Sequence, residues 1–161
     1  MKTLYAGFGV LTVAIIFAGC AAPLTGTPQN ASTRATVSPD DDSRAVQGNW
    51  KPAKAEFAGQ AMTDAVLKTI SLKLENGNYE VFVGEEPDRG TYTLDAATNP
   101  RSMTITGTAG PNSGKTFPAI YELKGDTLLI CYDLSGAKSP SEFKSVAGTR
   151  LYLVTYYRKK E

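Results

Sequence analysis

The chain contains no histidine. That removes the side chain most used as a general base near neutral pH, and the commonest metal and haem ligand. Cysteine is nearly as scarce. There are two, Cys20 and Cys131, and with Cys20 set at the end of an apolar leader no disulfide framework is expected. Charge of one sign is also lacking. The 17 Lys and Arg against 16 Asp and Glu leave a formal charge of +1, and loss of a leader bearing Lys2 takes it to zero. A nucleic-acid partner calls for a basic excess gathered on one face, so none is expected.

What is present begins with that leader. Lys2 precedes an almost unbroken apolar run over residues 4–18, which ends in Gly19 and Cys20. A basic residue before a short apolar segment is the layout of an export signal, and the run is short for a membrane span. Residues 21–43 follow, with Pro, Thr, Ser and Asp and almost no large apolar side chain. Such a segment cannot bury enough surface to offset its ordering entropy, which makes 20–43 an expected disordered tether. The chain then divides into a leader over 1–19, a tether over 20–43 and a folded domain over 44–161. Roughly 110–120 residues suffice for one buried core without disulfides or a metal.

Within the domain the dominant period is two. Ile70, Leu72 and Leu74 alternate with Ser71, Lys73 and Glu75, then Asn76-Gly77 gives the strongest short hairpin signal, and Tyr79, Val81 and Val83 continue on the return. Residues 85–90 form an expected turn, 91–94 extend again, and Met103 and Ile105 alternate with hydroxyl residues. A glycine-rich loop over 107–114 leads to strands near 117–123, 127–132 and 150–158. With the segment around Trp50 this makes about eight short strands, an all-β antiparallel up-and-down barrel or, failing closure, a sandwich. Residues 61–69 alone read as helical, with Met62, Val66 and Ile70 four apart, a lid or plug for one barrel end.

Two sets of residues resemble known families. Phe17-Ala18-Gly19-Cys20 resembles the lipobox of bacterial lipoproteins, where the peptide is cut before the cysteine and the thiol is diacylated. The resemblance implies cleavage between Gly19 and Cys20, lipid on Cys20, and a membrane anchor in the cell envelope. Ala21 in place of aspartate implies the outer membrane, facing the periplasm. Gln47-Gly48-Asn49-Trp50-Lys51, the segment 107–116, the segment 120–128 leading into Cys131, and Ser139 to Phe143 resemble the uncharacterised lipocalin-like domain of exported bacterial proteins. In the wider lipocalin class a Gly-x-Trp on the first strand packs under an arginine of the last, closing one barrel end. Gly48, Trp50 and Arg158 occupy the matching places.

Other motifs carry plainer readings. Residues 109–116 nearly spell a phosphate-binding loop, but Phe117-Pro118 follows where a helix must start, so the segment is read as a hairpin connection without nucleotide. Pro118, early in a strand, suggests an edge or a bulge. Glu85, Glu86 and Asp88 read as a solvated turn with no metal, and Cys131 reads as a small core residue with no histidine to activate it. Tyr92, Tyr121 and Tyr132, with Tyr152, Tyr156 and Tyr157, could line a barrel mouth; cross-strand pairs that hold the sheet are the alternative. Tyr92, Tyr121 and Tyr132 are the candidate ligand-binding set. The expectation is a non-enzymatic, cofactor-free, membrane-anchored domain that holds a small apolar or amphipathic ligand or meets an envelope protein. The rival is a solid-core scaffold or inhibitor, and the discriminating quantity is interior volume, about 300 Å³ or more for a drug-sized ligand.

Overall fold

The structure, a computed structural model, describes residues 39–160. Cys20, the Gly19 cleavage position and the first part of the expected tether lie outside the described residues. The elements in chain order are α1 (Pro39–Ala45), β1 (Gly48–Phe57), β2 (Gln60–Ala61), α2 (Asp64–Thr69), β3 (Ile70–Glu75), β4 (Asn78–Val83), β5 (Glu86–Asp95), β6 (Ser102–Ala109), β7 (Thr116–Lys124), β8 (Thr127–Asp133) and β9 (Leu151–Arg158).

Every neighbouring strand pair is antiparallel, in the order β1-β3-β4-β5-β6-β7-β8-β9, and β9 returns to pair with β1 from Trp50↔Arg158 to Phe57↔Tyr152. Eight strands thus close an up-and-down barrel, and closure pairs both sides of each of them. The two-residue β2 folds back on the end of β1. Alternation sorts the side chains as the period predicts: Ile70, Leu72 and Leu74 are buried, as are Leu128 and Ile130. Each large apolar side chain so buried contributes about 1.5–3 kcal/mol. Trp50 and Ala55 both face inward although they are five apart, because a bulge between Pro52 and Lys54 shifts the register of β1 against β9.

Three local expectations are corrected. Pro118 lies within β7, paired to Thr104, in the closed wall and without a bulge. The N–H of Tyr121 bonds the Arg101 carbonyl on the β6 side, so Pro118, an odd number of residues away, faces β8. The β7–β8 ladder begins only at Ala119, so the missing N–H interrupts nothing. The helix expected over 61–69 starts at Asp64, because Gln60 and Ala61 are taken up by pairing with β1. The expected tether boundary at residue 43 falls inside α1, whose Asp42 is 3 % exposed.

That buried aspartate anchors α1 across one end of the barrel. Its carboxylate accepts the Tyr121 hydroxyl at 2.6 Å and the Arg101 guanidinium at 2.9 and 3.1 Å. Trp50 lies beneath, fully buried, donating its indole N–H to the Val46 carbonyl at 2.9 Å. Arg158 stacks over the indole, its Cζ 4.3 Å from the ring centroid. Its Nη1 donates to the Gln47 carbonyl and its Nη2 to the Ala45 carbonyl at 2.7 Å, while Nε meets Asp126 at 3.1 Å. The guanidinium therefore also satisfies carbonyls orphaned at the C-terminus of α1. Gly48 sits at φ +136, and a Cβ there would lie 2.6 Å from Arg158 Nη1, so the glycine makes room for the stack. This end is closed.

Candidate ligand site

The opposite end holds a cavity of about 350 Å³ inside the barrel. All eight barrel strands contribute to its walls, β3 and β4 most heavily, and α2 with the residues before it supplies a cover. Met62 and Val66 reach in from that cover, with Ile70, Leu72, Val81 and Leu134 among the apolar lining. Two wider depressions, about 450 and 480 Å³, are shaped largely by the β8–β9 connection and lined by Ser, Lys, Glu, Thr and Arg among others. Volume alone does not mark a site; the barrel cavity differs in being almost wholly apolar.

Three tyrosines of β8 and β9 face the cavity. Tyr132 and Tyr152 are paired across the strands and their rings stack, with centroids 5.8 Å apart at 20°. Tyr156, four residues further along β9, is close enough to interact with both and lines the same cavity. Burial pushes the Tyr156 phenol well above its ordinary value, and the neighbouring Tyr132 and Tyr152 add to the shift. Burial raises Tyr132 too, and lifts Tyr152 to about 12 against an opposing hydrogen bond from Tyr156. All three remain neutral phenols near pH 7, able to donate or accept one hydrogen bond but ill suited to abstract a proton.

On the other wall, Tyr79 and Asp88 make a second polar group. Asp88, Gly90 and Tyr92 are the inward-facing residues of β5. A Cβ on Gly90 would lie 2.6 Å from the Tyr79 ring and 2.0 Å from the Thr106 carbonyl oxygen. Only glycine lets the ring lie across β5 and carry its hydroxyl to Asp88 Oδ2 at 3.0 Å. Asn112, on the β6–β7 connection, donates its backbone N–H to Oδ1 and its side-chain amide to Oδ2, each at 3.0 Å. Burial raises the Tyr79 phenol, and the Asp88 hydrogen bond and charge raise it further.

The expected ligand tyrosines therefore separate. Tyr132 lines the cavity. Tyr121 is placed in the closed end against Asp42, its phenol raised by burial and by that carboxylate. Tyr92 is buried and its phenol raised by burial, with a backbone hydrogen bond from Gly77 opposing; it is not among the lining residues. Asp88, read as part of a solvated acidic turn, is 7 % exposed. The turn is tighter than expected because β5 begins at Glu86, and period two then carries Asp88 inward. The glycine-rich 107–114 segment connects β6 to β7, as a hairpin connection must, and also delivers Asn112 to the cavity.

Cys131 is buried, but on the outer side of β8, with its thiol 3.5 Å from the Lys144 carbonyl of the β8–β9 connection. Burial pushes that thiol up, which makes it a poor nucleophile. Among the described residues no cluster of three or more His, Cys, Asp or Glu could hold a metal ion. Comparison with known proteins finds no matching family model, curated protein or solved structure.

Proposed function

We propose that this protein is a bacterial envelope lipoprotein, held by lipid on Cys20, whose lipocalin-like barrel binds a small apolar or amphipathic molecule without transforming it. One observation carries the binding part. A barrel sealed at one end by Trp50 and Arg158 keeps an apolar cavity of about 350 Å³ at the other, above the roughly 300 Å³ at which small-molecule sites begin. A solid-core scaffold would have filled that space, since interiors pack to crystal-like density. The neutral phenols around the cavity favour holding over catalysis, and Asp88, the one carboxylate among the described lining residues, already accepts three hydrogen bonds.

The anchor rests on the leader and on Cys20. A diacylated or triacylated cysteine would give effectively permanent attachment, each methylene adding about 0.8 kcal/mol. Native mass spectrometry on the full chain, gently purified from its own host's envelope, tests both parts. The expected result is a mass increment for acyl chains, abolished by Cys20→Ser, and a second, dissociable mass in the barrel. An unacylated chain would sink the anchor. A bare barrel from several preparations would return weight to the scaffold.

A further inference from the structure

Two buried aspartates have the same partner type and different company. Asp42 accepts a tyrosine hydroxyl and is paired with Arg101. Asp88 accepts a tyrosine hydroxyl and two N–H groups of Asn112, yet among the described residues it forms no salt bridge. The cation nearest in sequence, Arg89, points outward and is held by Glu80 at 2.6 Å. Among the described residues no lysine or arginine lines the cavity, and Asp88 is the one carboxylate that does. Buried charges are normally paired. A carboxylate offers about four lone-pair directions and three are taken, all by neutral donors.

The rest of the wall has the same bias. Phe57, Phe117, Tyr79, Tyr132, Tyr152 and Tyr156 all line the cavity, and aromatic faces carry negative potential that attracts cations. An anionic ligand such as a fatty acid would set a second negative charge in a low-dielectric space that already holds one. A protonated amine would meet the opposite field. Cavity size limits the apolar body to a short chain or a small ring system, because about 350 Å³ is near the lower bound for such sites.

We propose that the cavity selects hydrophobic amines, with the ammonium facing Asp88 and the aromatic wall and the apolar body along β3 and β4. This deepens the binding function proposed above and rests on it. The test is calorimetric titration of the full chain carrying Cys20→Ser, at pH 7, with decylamine, decanol and decanoate below their aggregation limits. Decylamine is expected to bind about tenfold or more tighter than decanol, with decanoate weakest. Asp88→Asn should bring decylamine to within about threefold of decanol, read as the ratio of the two affinities in the same variant. Equal binding of decylamine and decanol, or tighter binding of decanoate, would overturn the amine preference and leave the cavity's binding role intact. Failure of all three to bind would overturn both. The ranking in the chain with native Asp88 decides the matter even where Asp88→Asn does not fold.

Discussion

The two ends of the barrel are built from similar parts and put to different uses. At the closed end every strong group is answered: Asp42 by Arg101 and Tyr121, the Trp50 indole by Val46, and Arg158 by two carbonyls, Asp126 and a ring face. At the open end a tyrosine–aspartate pair recurs beside an apolar cavity, and among the described residues no cation pairs with it. The contrast separates an end whose polar groups are fully answered from one where they are not. A complete network over-determines its geometry, whereas an incomplete one beside a cavity leaves room for a ligand to complete it.

The largest way to break this contrast is at Trp50. Trp50→Ala removes the closed-end core and should cost about 3–5 kcal/mol in urea unfolding. A cost below about 1 kcal/mol would mean that the closed end is not the stability centre. Next come the two aspartates compared directly. Asp42→Asn strips the charge from a buried pair and should cost about 2–3 kcal/mol, somewhat under the full buried-pair value because Arg101 keeps access to solvent. Asp88→Asn should cost less, about 1–2 kcal/mol, since one oxygen still accepts and no buried ion pair is broken, although the new amide opposes a donor of Asn112. Equal losses would erase the distinction between the ends. Smaller still is the effect of filling the cavity. Val81→Phe should change stability by less than about 1 kcal/mol while abolishing ligand uptake, the reverse of Trp50→Ala.

Alkaline pH offers a finer probe of both ends together. The folded pKa values of Tyr79, Tyr121 and Tyr156 are raised, and that of Tyr152 reaches about 12. A raised phenol stabilises the fold fully below its unfolded value near 10, and that contribution is lost as pH climbs through the folded value. Stability attributable to these groups should be flat to about pH 10 and fall above it. Phenolate absorbance from them should appear with unfolding. Titration of all tyrosines near pH 10 in a still-folded chain would contradict their burial.

Much of the barrel was legible in the chain because its determinants are local. Alternation in residues 70–83 and the Asn76-Gly77 turn specify a hairpin wherever it docks, and the structure places both turn residues at positive φ. The site was legible only in part, because its determinants are relational. Tyr132 sits at a strand end where alternation aims it inward, and so does Tyr152, its partner in register. Asp88 hides in an acidic turn until the start of β5 is fixed. Counting back by twos from Tyr92 through Gly90 was the available signal. Asn112 carries no such signal: its approach to Asp88 spans 24 positions and depends on how the β6–β7 connection folds. The helical anchor at Asp42 was masked by an acidic, turn-like composition that is indistinguishable from a tether until Arg101 and Tyr121 are brought beside it.

The most direct measurement is a methyl chemical-shift map of the full chain carrying Cys20→Ser, recorded while decylamine or decanol is added. Binding in the open end predicts saturable shifts at Met62, Val66, Ile70, Leu72 and Val81, with Val46 and Leu128 nearly still. Shifts scattered over the outer surface, or centred on Val46 at the closed end, would contradict a ligand-holding barrel.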